Sequence, residues 1–230
     1  MKKVNSIFDV LGPIMIGPSS SHTAGAARLA KIASSIAGEN IVKVKFYLHG
    51  SFMHTYKGHG TDRALLAGIM GLDPYDEQLR DSFELAQKIN LKYEFIPQDL
   101  GPVHPNTVKF EIENESGAKT VIMGSSTGGG AVLITNINGY EVKFTGDYFT
   151  LIINYPDVKG VITSVSSILS QEGINIATMN VSRKSKGKEA TMIIETDGDV
   201  NDDIINKIKE LEIVTTVIKI GTIKGGEINV

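Results

Sequence analysis

Apolar and polar residues alternate along Ile41–Leu48, where Val42, Val44, Phe46 and Leu48 interleave with Lys43, Lys45 and Tyr47. A period of two predicts a half-buried strand. Upstream, Ala26, Ala27, Leu29, Ala30 and Ile32 fall on one small-residue helical face behind the start signal Pro18–Ser21, which predicts a helix over Thr23–Ala37. The same spacing predicts helices over Thr61–Met70, stopped by Gly71, and over Asp81–Ile89. Strands are expected near Tyr93–Ile96, Thr107–Glu113, Thr120–Met123, Ala131–Ile137 and Glu141–Phe144, the last two joined by an Asn138-Gly139 hairpin turn. Helices followed by strands predict an α+β unit with a mixed helix/sheet core.

From about Phe149 the pattern tightens into a strand (Phe149–Asn154), a Pro156–Gly160 turn, and an amphipathic helix through Val161, Val165, Ile168 and Leu169. Strands Ile174–Ser182 and Ala190–Glu195, a helix near Val200–Leu211 and a strand Ile213–Ile220 complete βαββαβ, the ferredoxin-like order. The expected layout is therefore a first domain over 1–146, a second over 147–222 and a tail over 223–230.

Composition narrows the function classes. A net charge of −3 without a Lys/Arg block argues against nucleic acid as a partner. Met1-Lys2-Lys3 is followed too soon by Asp9 and Pro13 for a secretory signal, and no apolar run reaches membrane-spanning length. A cytoplasmic location is the expectation. The chain has no cysteine, which removes disulfides, thiol nucleophiles and any cysteine-held iron–sulfur cluster on this polypeptide. The five histidines show no His-Glu-x-x-His spacing, so no metal site is expected in the chain.

Two segments carry the candidate chemistry. Gly17-Pro18-Ser19-Ser20-Ser21-His22-Thr23-Ala24-Gly25 and Lys57-Gly58-His59-Gly60-Thr61-Asp62-Arg63 each set a histidine among glycines and small hydroxyl or acidic residues just before a helix. Unpaired N–H groups at a helix start favour anions, and an adjacent imidazole moves protons near neutral pH. Ser19, Ser20, Ser21 and Thr23 are candidates to hold a carboxylate, although one serine suffices for an ordinary cap. Lys57, Asp62 and Arg63 can tune or orient groups near His59, or be surface charges. His49 ends the first strand, His54 has no motif around it, and His104-Pro105-Asn106 sits in a turn-rich stretch. Gly124–Gly130 lacks the Lys-Ser/Thr of a nucleotide loop and reads as a glycine-rich strand connection. Ser21 beside His22 formally allows a hydrolase, but no Gly-x-Ser-x-Gly elbow accompanies it.

The C-terminal unit resembles the ACT family of small-molecule-binding modules, through Pro156-Asp157-Val158-Lys159-Gly160-Val161 and Gly173-Ile174-Asn175-Ile176-Ala177. The resemblance implies a possible amino-acid ligand at Asp157 and Asn175, or pairing of subunits into a homodimer without a ligand. The two histidine segments, with Gly50-Ser51-Phe52, His104-Pro105-Asn106-Thr107 and Gly128-Gly129-Gly130, resemble the beta chain of iron–sulfur-dependent L-serine dehydratase. That family implies deamination of L-serine to pyruvate and ammonia, with a 4Fe-4S cluster on a cysteine-bearing alpha subunit. It implies His59 as base, His22 as its helper, and Ser19, Ser20, Ser21, Thr23, Lys57, Asp62 and Asn106 as substrate-binding residues, with the two histidine roles interchangeable. The first domain is also similar to the allosteric substrate-binding domain of some phosphoglycerate dehydrogenases. A non-catalytic serine-sensing module and a purely dimerising ACT scaffold therefore stay open.

Overall fold

The computed structural model describes residues 17–183 and 185–223, so the expectations for Met1-Lys2-Lys3 and for the tail from residue 224 lie outside the described residues. The chain separates into two compact units, the first ending at Ile134 and the second spanning Thr135–Ile223.

In chain order the first unit begins with a π-helical turn, Ser20–Ala24, which runs into α1 (Gly25–Ala37). Then come β1 (Ile41–Leu48), α2 (Gly50–Thr55), α3 (Thr61–Ile69), a short 3₁₀ turn (Glu77–Asp81) and α4 (Ser82–Lys88). Strands β2 (Lys92–Pro97), β3 (Thr107–Asn114), β4 (Lys119–Gly128), β5 (Ala131–Ile137) and β6 (Tyr140–Phe144) follow, and the division between units falls inside β5. Within the first unit the strands of the mixed sheet are ordered β2-β1-β3-β4. β1 runs parallel to β2 and antiparallel to β3.

Alternation along the strands decides which face is covered. Val44, Phe46, Leu48, Val108, Phe110, Ile112 and Ile122 are buried, while on the other side Lys43 is exposed and Lys45, Lys109 and Glu111 form ion pairs and hydrogen bonds. Full burial of side chains such as Phe46 and Phe110 stabilises the unit by about 1.5–3 kcal/mol each. α1 packs on both β4 and α3. Small residues permit this approach: a Cβ on Gly68 of α3 would stand 2.1 Å from the Ala27 carbonyl of α1. The Asn138-Gly139 turn is of the expected kind, both residues having positive φ (52° and 83°).

Three differences from the sequence expectation follow from packing. The first helix is preceded by the π turn rather than beginning at Thr23. α2 has only six residues, too few to show a helical period. β4 runs on through Gly124–Gly128, so the glycine-rich stretch is largely strand. Its small residues are what pass beneath α1: a Cβ on Gly124 would meet Leu29 at 2.7 Å.

The second unit adds β7 (Phe149–Pro156), α5 (Val161–Gln171), β8 (Ile176–Arg183), β9 (Glu189–Thr196), α6 (Asp202–Lys209) and β10 (Thr216–Ile220). Its antiparallel sheet has the order β10-β7-β9-β8. Leu151, Ile153, Met192 and Ile194 from the strands and Val165, Leu169, Ile204 and Ile208 from the helices form one core. β8 starts later than expected because Gly173 (φ 71°) and Ile174 close α5, the Ile174 N–H donating to the Leu169 carbonyl at 2.9 Å. β10 starts late for a similar reason: Val214 N–H turns back to Leu211 O.

Candidate active site

The π turn exists because Ser19 sits extended before it (φ −144°) and its hydroxyl accepts from the His22 N–H at 3.2 Å. The turn closes when the Gly25 N–H donates to the Ser20 carbonyl, five residues back. His22 is thereby presented at the mouth of α1 with both ring nitrogens engaged. Nδ1 lies 3.2 Å from Ser21 Oγ and 3.4 Å from Ser19 Oγ, and Nε2 lies 3.0 Å from Ser51 Oγ. Hydroxyls donate or accept, so either neutral tautomer is satisfied. The ring stands edge-on to buried Phe52, centroids 5.1 Å apart.

His59 reaches the same place from the loop between α2 and α3. Its N–H donates to the Thr55 carbonyl, and its carbonyl accepts from Thr23 Oγ1 at 3.2 Å. Gly60, in the left-handed region (φ 67°), turns the chain into α3. The two imidazole centroids are 4.9 Å apart. Burial and then the neighbouring His59 hold the His22 pKa below its ordinary 6.5, which favours the neutral ring. His59 Nδ1 is buried with no hydrogen-bond partner among the described residues, the state of a group reserved for something else or relieved by a small movement.

A second layer fixes this pair. Ser51 N–H donates to the Pro105 carbonyl at 2.8 Å, and Ser126 N–H donates to the Asn106 carbonyl at 3.0 Å. Ser126 also abuts the start of α1, where a Cβ on Gly25 would come within 2.0 Å of its Oγ. The His104–Thr107 loop is therefore clamped between α2 and the end of β4, with the Thr107 hydroxyl donating to the His104 carbonyl and meeting Ser125 Oγ at 2.7 Å.

Of the residues singled out in the sequence, Ser19, Ser21, His22, Thr23 and His59 converge through direct contacts. Ser20 contributes its carbonyl to the turn. Lys57 is exposed beside the Tyr56 ring, and Asn106 is anchored through its backbone. Asp62 accepts from the Arg63 N–H; burial raises its pKa, against the opposing pull of that bond and of Arg63 and Lys57. None of these three hydrogen-bonds to either histidine among the described residues. His49 is a structural group whose Nδ1 accepts from the Leu100 N–H, His54 is exposed, and exposed His104 accepts from the Asn106 N–H. In the second unit Asp157 is held by the Gly187 N–H and by Arg183, which depress its pKa in that order, and Asn175 donates to Asp197.

Sequence reasoning passed over Ser51 as a site residue and treated Arg63 only as a tuning charge. Ser51 lies 29 positions from His22, so no local spacing links them.

Comparison with known proteins bears on this geometry. The family model "Serine dehydratase beta chain" matches residues 6–136, which contain every residue of the histidine cluster. The chain belongs to that family. An ACT domain model matches residues 149–213 of this beta chain. The L-serine dehydratase beta chain of Peptoniphilus asaccharolyticus is 45% identical over 92% of this chain and 96% of its own length. The probable L-serine dehydratase beta chain of Bacillus subtilis (strain 168) is 40% identical over 95% and 99%. A D-3-phosphoglycerate dehydrogenase of Methanocaldococcus jannaschii is 36% identical over 46% of this chain and 20% of its own length. No described helix is long and apolar enough to cross a membrane.

The residues of this chain do not fit an iron–sulfur cluster. It has no cysteine, and among the described residues no three His, Asp or Glu side chains are grouped to hold a metal.

Proposed function

We propose that this chain is the beta subunit of an L-serine ammonia-lyase, supplying the proton-transferring half of a site that it completes with a cysteine-bearing alpha subunit. The reading assigns the 4Fe-4S cluster to that alpha subunit and derives from this chain only what its own side chains do. The observation that carries it is the pairing of two imidazoles 4.9 Å apart, one of them held by three serine hydroxyls.

In this scheme His59 removes the Cα proton of L-serine, water leaves, and the enamine tautomerises and hydrolyses to pyruvate and ammonia. A positioned base of this kind contributes on the order of 10²–10⁴ in rate. His22 is oriented by Ser19, Ser21 and Ser51 to bind or protonate substrate, and Ser20, Thr23, Lys57, Asp62 and Asn106 complete the substrate-binding surface of residues 1–146. Residues 147–222 form an ACT domain that pairs two copies of the subunit, with Asp157 and Asn175 at its ligand position. A cytoplasmic location accompanies this metabolic role.

The test is anaerobic co-expression with a cysteine-bearing alpha chain and a pyruvate assay on L-serine. Turnover that requires both chains supports the proposal; full turnover by this chain alone, stripped of metals, overturns it. The partial likeness to D-3-phosphoglycerate dehydrogenase favours a second reading, a non-catalytic serine-sensing module. Saturable serine binding by this chain, with no turnover in any complex, would select that reading instead.

A further inference from the structure

Beside His59 a pocket of about 230 Å³ is walled by Thr23, His59, Gly60, Arg63, Leu79 and Arg80. It is smaller than the roughly 300–1,000 Å³ of pockets for drug-sized ligands and offers room for several waters at about 30 Å³ each. A three-carbon amino acid suits it and a nucleotide does not.

Its charge is one-sided. Arg63 and Arg80 line it, no Asp or Glu does, and neither guanidinium forms a salt bridge with a carboxylate among the described residues. Arg63 is already oriented: it donates to the Arg80 carbonyl and lies 5.1 Å from the centre of the Phe83 ring. Arg80 gives only its backbone to that tie, and its own side chain has no hydrogen bond or ion pair among the described residues. Meanwhile Ser19, Ser21 and Ser51 turn their hydroxyls to His22, so the strongest anion donors beside His59 are the two arginines.

We propose that Arg63 and Arg80 form the carboxylate subsite for the hydroxy amino acid substrate, holding it so that its Cα faces His59. A guanidinium presents paired N–H donors that match the two oxygens of a carboxylate, and two such forks fix orientation as well as charge. This rests on His59 acting on that substrate, as set out above.

The experiment uses the alpha–beta complex assembled anaerobically. Arg80→Gln and Arg63→Gln are each expected to raise KM for L-serine at least tenfold with kcat changed less than threefold. Arg80→Lys should restore part of the loss, because it returns charge without the fork. L-Serinamide, which lacks the carboxylate, should compete with L-serine poorly against the wild-type complex and relatively better against the Arg80→Gln complex. Arg80→Gln preserves the Arg63 tie, and an unchanged melting temperature verifies its fold. An active Arg80→Gln complex with unaltered KM and unaltered preference over serinamide would overturn the subsite alone. A wild-type complex without turnover would overturn the dehydratase reading and the subsite with it.

Discussion

His22 Nε2 meets Ser51 Oγ at 3.0 Å, joining the turn that opens α1 to the first turn of α2. Ser51 is itself held by its N–H to the Pro105 carbonyl, so this one residue links three segments around the imidazole, the hydroxyl to His22 and the backbone to Pro105. Ser51→Ala should cost about 1 kcal/mol of stability, the usual net worth of one hydrogen bond. If His22 binds or protonates substrate as proposed, turnover in the alpha–beta complex should fall further, on the order of tenfold or more, because a reacting group that loses its orientation loses rate steeply. Parallel melting curves and initial rates would check the contrast.

The histidine pair sets a pH dependence. Burial and His59 keep the folded pKa of His22 below 6.5, so in acid the unfolded chain binds the proton first. The stabilising contribution of neutral His22 is thus present above about pH 6.5 and declines as pH falls below it. NMR titration of the ring in the intact chain should give a midpoint below 6.5. In His59→Gln the midpoint should rise part of the way back, since burial, the larger cause, remains.

Gly25 lies where α1 grazes β4. A Cβ there would come 2.0 Å from Ser126 Oγ, although its helical φ of −63° accommodates alanine. Gly25→Ala is expected to destabilise the protein by about 1–3 kcal/mol through overpacking and to disturb the π turn that aims His22. Gly198→Ala, where nothing lies within 4 Å, is the matched control and should melt as wild type. Denaturant titration of both variants distinguishes crowding from a general effect of losing glycine.

Asp157 ties the turn before α5 to the β8–β9 connection through Gly187 and Arg183. Because its folded pKa lies below the ordinary 3.8, its contribution is complete above that value and disappears as pH falls through the lower folded pKa. The melting-temperature difference between wild type and Asp157→Asn should therefore narrow toward the acid end of a pH series.

Strong periodicity made most of the fold readable. The alternation in β1, the small-residue face of α1 and the βαββαβ order of the second unit all appear in the structure. The extension of β4 was hidden because Gly124–Gly128 resembles a loop in composition, and only its passage beneath Leu29 requires residues that small. His22 and His59 stand out in the sequence through their glycine and hydroxyl surroundings, and the structure brings their rings to 4.9 Å. The contact of His22 with Ser51, and the joining of Arg63 to Arg80 across 17 positions, depend on tertiary packing that no local pattern encodes.

The central claim is that an imidazole of this chain moves the substrate proton. The direct measurement is pyruvate formation from L-serine by the anaerobic alpha–beta complex carrying His59→Gln, with assembly and iron content matched to wild type. Loss of turnover by about 10² or more is the predicted result. Near-normal turnover by that variant would contradict the assignment.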